Sequence, residues 1–266
     1  NGNVDAMFAY ASALFNKTDS ACYYKMAADN GHKDAMFKYS VMLANGEGVE
    51  IDKVLSASYC KLAADNGLVE SMYVYAIKLM TGDGVPTNPK EAAKYYKKAA
   101  DNGHRESMHN YAIAVFNGDG VPVNKKEAAK YFKMAADEGH PDSMRNYYLM
   151  LQKGDGIDSN PEEAKKYHDM ALDNGQKDVA YEHAHEILEK IKDDEKRREE
   201  AFQIRVLEKK PTFAKISTSS SSLSSISSSE LIMPQPEAPK INKSEIAKYF
   251  KIAADNGHIE AMYKYA

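Results

Sequence analysis

The residues of this chain whose types could do chemistry are eight histidines, two cysteines and the Gly-Asp-Gly or Gly-Glu-Gly triplets at 46–48, 82–84, 118–120 and 154–156. The triplets invite a calcium reading, because carboxylates and backbone carbonyls are what a hard cation takes. They lack the alternating Asp/Asn ligands and the closing Glu of an EF-hand loop. They read better as helix stops. His32, His104, His140 and His258 each follow a glycine of one recurring stretch. A metal site would need them to converge, and a repeat keeps them apart. His183 and His185 are adjacent-but-one on a helix, hence on different faces. Cys22 and Cys60 lie on second-helix surfaces in successive units, and no disulfide is expected between them. Two cysteines fit a reducing compartment. There is no nucleophile elbow, phosphate-binding loop, Cys-x-x-Cys or His-Glu-x-x-His. The expectation is no catalytic residue, no metal, no cofactor and no enzyme. Asn16-Lys17-Thr18 and Asn242-Lys243-Ser244 match a glycosylation sequon, which matters only in a secreted protein.

The elements that carry these residues are set by "KMAADNGHKDAMFKYS", Lys25 to Ser40. Asn-Gly between apolar runs can make a hairpin turn. Here Tyr23, Tyr24, Ala27 and Ala28 precede it, and Met36, Tyr39, Ser40 and Leu43 follow, all at three- and four-residue spacing. Both flanks are helical, so Gly31 is predicted to be the left-handed residue that ends a helix. The stretch recurs. Gly31, Gly67, Gly103, Gly139 and Gly175 stand 36 residues apart, and Gly2 precedes Gly31 by only 29. A fixed period of this size means stacked supersecondary units.

Within Gly67 to Asn102, a first helix carries Ser71, Met72, Tyr75, Ala76 and Leu79 on one face. "TGDGVPTN" stops it, with Gly82 and Gly84 at positive φ and Pro86 forbidding further helix. Asn88 caps a second helix, Pro89 takes its first position, and Glu91 completes an Asn-x-x-Glu variant of the capping box. Asn124 with Glu127, Asn160 with Glu163 and Asn242 with Glu245 repeat the pattern. The second helix carries Ala92, Tyr95, Tyr96, Ala99 and Ala100, small residues that let helices approach and tyrosines that fill the space between layers.

On these motifs the unit resembles the Sel-1-like repeat, a relative of the tetratricopeptide repeat. "NGEGV", "TGDGVP" and "NGDGVP" match the family's loop, and "EAAKYYKKAADNG" and "EAAKYFKMAADEG" its second helix. The chain departs where Tyr39, Tyr75 and Tyr111, followed by Ser40, Ala76 and Ala112, replace Leu-Gly. Leu43 and Leu79 stand at the family's Tyr, and Tyr95 and Tyr131 replace its Trp. We read these as exchanges of one large apolar group for another. The resemblance implies an all-α fold, a right-handed α-solenoid of stacked helix–turn–helix repeats of 36 residues, with a concave groove for a peptide or partner helix. It also implies an adaptor role in multiprotein assemblies.

Residues 1–175 read as the regular array. Over 176–210 the period fades, and either a degenerate helical repeat or one long charged helix fits. Residues 211–240, Ser-rich and followed by Pro234, Pro236 and Pro239, read as a disordered linker or insertion, and 241–266 as the start of a further repeat pair. The chain opens and closes inside repeats, as a piece of a longer array would. A composition 43% hydrophobic and 28% charged is that of a globular protein, and a net charge of −4 gives no electrostatic case for nucleic acid. No apolar run approaches the roughly 20 residues of a membrane span. A cytoplasmic protein is expected.

The expected function is therefore a non-catalytic scaffold for a protein or peptide partner. The rival is a regulatory array attached to a catalytic domain, such as a kinase, outside this sequence. Specificity is expected on a second stripe of the first helix, where equivalent positions differ: Phe37, Tyr73, His109 and Arg145, then Val41, Ile77, Ile113 and Leu149, then Ala44, Met80, Phe116 and Gln152. The related tetratricopeptide fold lines its groove with these positions. Packing between first helices is the competing reading, open for the middle row; ligand contact is expected for the first row, whose residue types differ most. Limited proteolysis is expected to cut first within 211–240 and to leave a resistant block from 1 to 175; first cleavage inside the repeats would refute it.

Overall fold

The structure, a computed structural model, describes residues 2–208 and 243–261. Among these residues every regular element is a helix. They run α1 (Gly2–Ala13), α2 (Lys17–Asp29), α3 (Lys33–Asn45), α4 (Lys53–Asp65), α5 (Val69–Thr81), α6 (Pro89–Asp101), α7 (Arg105–Asn117), α8 (Lys125–Asp137), α9 (Pro141–Lys153) and α10 (Pro161–Asp173). Then come α11 (Lys177–Glu208) and α12 (Lys243–Asp255). The chain divides into two compact units, Asn1–Asn174 and Gly175–Ala266.

In the first unit the helices from α2 to α10 are all 13 residues long. Glycine sets that length. At the end of α2, Gly31 takes φ +93°, its N–H donates to the Ala28 carbonyl at 2.9 Å, and the His32 N–H donates to Ala27 at 3.1 Å. This Schellman pairing satisfies carbonyls that the helix leaves open. The Asn-Gly is thus a helix stop, as the flanking periodicity requires. The odd-numbered helices α3, α5, α7 and α9 stop instead on Gly46, Gly82, Gly118 and Gly154, also left-handed.

The starts are equally local. Asn88 accepts the Glu91 N–H on its Oδ1 at 3.1 Å, and its own side-chain amide donates to Glu91 Oε2 at 3.2 Å. In an ordinary capping box the Glu reaches the cap's backbone N–H. Here that N–H is already taken, donating to the Leu79 carbonyl at 2.8 Å, which ties α6 to α5. Asn124 and Asn160 repeat the arrangement.

In the first unit, from α1 to α10, successive helices pack against one another. Ala92, Ala93, Ala99 and Ala100 are buried on α6, and Tyr75 and Tyr95 meet edge to face at 4.9 Å. The tyrosines that stand for the family's Trp do more than exchange apolar bulk. The Tyr95 hydroxyl donates to Asp65 at 2.6 Å, at the end of the second helix one repeat earlier. Tyr59 to Asp29, Tyr131 to Asp101 and Tyr167 to Asp137 are the same bond, always 30 residues apart. Burial and the neighbouring carboxylate push the Tyr95 and Tyr59 hydroxyls up to about 12, so they stay donors. Residues of successive repeats are thereby joined in register.

In the second unit, α11 is one helix of 32 residues. Of the two arrangements the sequence left open for 176–210, it is the single helix that forms. No glycine or proline interrupts 177–208, and pairs such as Lys192–Glu189 and Lys196–Glu200 line its surface. Val179, Ala180 and Ala184 are fully buried, α12 packs against α11, and the Tyr181 hydroxyl donates to Glu260 at 2.6 Å. Gly257, at φ +86°, ends the α12 segment as Gly31 ends α2. The segment read as a Ser/Pro-rich linker, 211–240, lies outside the described residues.

Two loop glycines carry different constraints. Gly82 needs φ +77°, and a Cβ there would meet only Thr87 Cγ2 at 3.1 Å and the Val85 carbonyl oxygen at 3.7 Å. At Gly84 a Cβ would overlap the Lys53 carbonyl at the start of α4, a backbone contact that cannot turn away. Gly82→Ala is expected to cost roughly 1–2 kcal/mol, the strain of a left-handed non-glycine residue. Gly84→Ala is expected to cost clearly more, because the loop must also move off α4. Urea denaturation of both variants checks the order.

Candidate functional site

The stripe singled out in the sequence lies on α3, α5, α7 and α9. The residues around it, Met36, Tyr39, Ser40 and Leu43 with their counterparts, are buried and face the second helices. The stripe itself is half-buried at Phe37, Tyr73, Arg145, Val41, Ile77, Ile113 and Leu149. His109 differs, with only 9% of its surface exposed.

The first row has neighbours the sequence did not reveal. Phe8, at the equivalent position of the first repeat, stacks on His32 at 4.4 Å between ring centroids. Tyr73 lies on His104 at 4.7 Å, and His109 on His140 at 4.2 Å, nearly parallel at 14°. Within the second unit, Tyr181 stacks on His258 at 4.0 Å. The histidines are fixed because each is the N-cap of its own helix or turn. The Nδ1 of His32, His104, His140 and His258 accepts the N–H of Ala35, Ser107, Ser143 and Ala261 at 3.2 to 3.3 Å. With Nδ1 accepting, a neutral ring carries its proton on Nε2, which in His104 lies 3.2 Å from Glu70. Where the cap is Leu68, it forms no side-chain cap bond, and it joins Phe37 at the edge of the same apolar cluster. The variety of the first row therefore has a packing partner at the start of the next repeat.

Equivalent histidines do stay one repeat apart, but His109 belongs to a different row and meets His140. With Asp142 they place three potential ligand atoms within 4.8 Å. The hydrogen bonds oppose a metal reading. Nε2 of His140 could ligate only by losing its proton, and Nδ1 would then need one and lose the cap bond. Nδ1 of His109 is engaged with the Ser143 hydroxyl at 2.7 Å. The signal available in the sequence was the interval of 31 residues from Phe37, Tyr73 and His109 to the caps Leu68, His104 and His140, shortened to 24 between Phe8 and His32 and visible only once the caps are recognised.

The cysteines also separate. Cys22 is exposed and Cys60 buried, both free thiols. Cys60 is not on a helix surface as expected: one period back from it stands Tyr24, not Cys22, so it points at α5 and meets the Ser71 carbonyl at 3.6 Å. Burial pushes its thiol up to about 12.

The middle and third rows line two hollows. One, of about 220 Å³, is bounded by Ile77, Met80, Tyr96, Asn110 and Ile113. The next, of about 330 Å³, is bounded by Ile113, Phe116, Phe132, Asn146, Leu149 and Lys153. Ile113 borders both, so the hollows follow one another along successive repeats.

Paired helices at a fixed period, each repeat bonded to the next, make the first unit an α-solenoid of helix–turn–helix repeats. The model of the Sel1 repeat matches residues 23–32, 33–68, 69–104, 105–140, 141–176 and 247–258, and the chain belongs to that family. Its fold is similar to that of c5321, a protective antigen present in uropathogenic Escherichia coli strains and displaying an SLR fold. The identity is 18% and the TM-score 0.67, over 94% of this chain and 44% of that one. The chain thus spans less than half the length of that antigen. It is also similar to a Sel1 repeat protein from Oxalobacter formigenes, with 21% identity and a TM-score of 0.60 over 65% of this chain and 74% of that one. No curated protein sequence gives a significant match.

The His109–His140 pair makes stability depend on pH. Burial first, then the nearby His140, pushes His109 down to about 4, below the ordinary 6.5. Above about pH 6.5 folded and unfolded chains are both neutral there, and stability is full. Between 6.5 and 4 only the unfolded chain takes the proton, so stability falls as the pH falls. From pH 7.5 to 5 the loss is expected to be roughly 2 kcal/mol. His109→Phe, which places Phe8's residue type at the equivalent site, is expected to remove that part of the slope; equal slopes in urea titrations would refute it.

Proposed function

We propose that the first unit is a binding scaffold, taking a protein or peptide partner along the groove of α3, α5, α7 and α9 without bond chemistry. The observation that carries this reading is the pair of successive hollows sharing Ile113. Apolar hollows with a few polar groups at the rim are what recognition sites are made of. Asn110 and Asn146 sit at equivalent positions beside them, one repeat apart, and Lys153 borders the larger. In this reading Val41, Ile77, Ile113 and Leu149 supply apolar contact, with Phe37, Tyr73 and Arg145 along the edge. His109 contributes by supporting the wall from beneath. The role agrees with the adaptor function that the family resemblance implies. A cytoplasmic setting is part of the same reading, supported by two free thiols.

The test uses peptides selected from a displayed random library on the intact chain. Selected peptides are expected to bind Ile113→Ala with Leu149→Ala weaker by roughly 2 kcal/mol or more, about thirtyfold, the scale of interface anchors. Tyr73→Ala with Arg145→Ala is expected to weaken binding as well, with circular dichroism unchanged in both. Undiminished affinity in both variants would move the site to another face.

A further inference from the structure

The loop that ends each of α3, α5, α7 and α9 carries one acid, Glu47, Asp83, Asp119 or Asp155. In three repeats the second helix before it starts with lysine, and the two charges meet. Lys17 lies 3.1 Å from Glu47, Lys53 2.9 Å from Asp83 and Lys125 2.7 Å from Asp155, always 30 residues apart. The fourth acid is Asp119, and the residue 30 before it is Pro89. The backbone arrangement is the same, since a Cβ on Gly120 would overlap the Pro89 carbonyl as one on Gly84 would overlap that of Lys53. Only the cation is gone. Asp119 accepts the Asn117 side-chain amide at 3.3 Å, as Glu47 accepts that of Asn45. Among the described residues no cation, Lys90 included, forms an ion pair with it. Asp119 is also the one charged residue among the described residues lining the smaller hollow, beside Ile77, Met80 and Ile113. The larger hollow is the reverse. Its acid, Asp155, has both oxygens bonded to Lys125, at 2.7 and 3.0 Å. Lys153, the last residue of α9, then carries the charge left over at that rim, where α3, α5 and α7 end in the neutral Asn45, Thr81 and Asn117.

We propose that the occupant of the groove is an extended peptide of mixed charge. It sets a basic side chain beside Asp119 at the smaller hollow and an acidic one beside Lys153 at the larger, each next to an apolar side chain that enters the hollow. This rests on the groove of α3, α5, α7 and α9 being the binding surface. Charge complementarity selects the occupant. An acid that three repeats neutralise from within, and one repeat leaves open, is a place for a cation from outside. A uniformly basic partner would gain at Asp119 and be opposed at Lys153, and a uniformly acidic one would meet the converse. Ile113, common to both hollows, sets the distance between the two charges. Hollows that share a wall residue lie about one helix diameter apart, roughly 10 Å. An extended chain covers that in about three residues, at about 3.3 Å each. The basic and acidic residues of the peptide are therefore expected about three positions apart. The opposite rims also fix the direction in which a given peptide lies.

The experiment selects peptides from a displayed random library on the intact chain and measures affinities on synthetic copies. Selected sequences are expected to pair a Lys or Arg with an Asp or Glu about three positions away. Replacing the peptide's basic residue by glutamine is expected to weaken binding to the unmodified chain roughly two- to fivefold, the scale of an exposed ion pair. The same replacement is expected to change nothing on Asp119→Asn, which closes a double-mutant cycle. Lys153→Gln is expected to do the same for the peptide's acidic residue. Asp119 and Lys153 are both exposed, so circular dichroism and melting are expected to stay as they are. Peptides that need Ile113 and Leu149 but show no charge pattern overturn this inference and leave the groove reading standing. So do peptides whose basic residue counts equally on Asp119→Asn. Peptides indifferent to Ile113→Ala with Leu149→Ala overturn both.

Discussion

The left-handed turn at Gly31 and its counterparts is the constraint on which the rest of the structure depends. Only glycine takes φ near +90° without a Cβ clash, and only there can the next two N–H groups fold back onto the last carbonyls. Ending every second helix at the same place makes all units the same length. Equal length is what brings Tyr95 to Asp65 and His140 to His109, contacts defined by intervals of 30 and 31 residues. A single extra residue in one helix would rotate every later side chain by about 100°. The second unit shows the converse. Where 177–208 lacks glycine, no loop forms and one helix runs for 32 residues.

The bonds between repeats are individually modest and collectively decisive. A hydrogen bond to a charged group contributes about 1.5–3 kcal/mol, and an aromatic pair about 0.5–1.5 beyond its area. Solenoid stability is a sum of such neighbour terms, so a motif repeated at Tyr59, Tyr95, Tyr131 and Tyr167 counts four times. The same logic explains why the first row of the stripe can vary. Tyr73 and His109 each lie on a cap histidine, whereas Phe37 and Leu68 both pack at the edge of one apolar cluster. What must match is the pair, not the residue.

A helix in such an array has three tasks around its circumference. One face meets its partner helix, a second meets the neighbouring repeat, and a third is left over. On the first helices the remainder is the half-buried line of Ile77, Ile113 and Leu149; on the second helices it is the outer face, apolar at α4 and lysine-rich at α6. These two remainders are the surfaces free to vary without disturbing the stack.

The period, the helix pairs, the Asn caps and the glycine stops were legible in the sequence, because each is decided within a few residues of backbone. The stripe positions were legible as a row, since equivalence follows from the period alone. What tertiary structure decided is how far one repeat is offset from the next. That offset places the Tyr95 hydroxyl on Asp65, buries His109 against a cap from the following unit, turns Cys60 inward and sets Gly84 on the first turn of α4. A repeat length states which residues are alike; it does not state the angle and shift at which two layers of side chains interlock. Those are set by the volumes of the buried alanines and tyrosines packing at close density, a property of two neighbouring units together and of neither one alone.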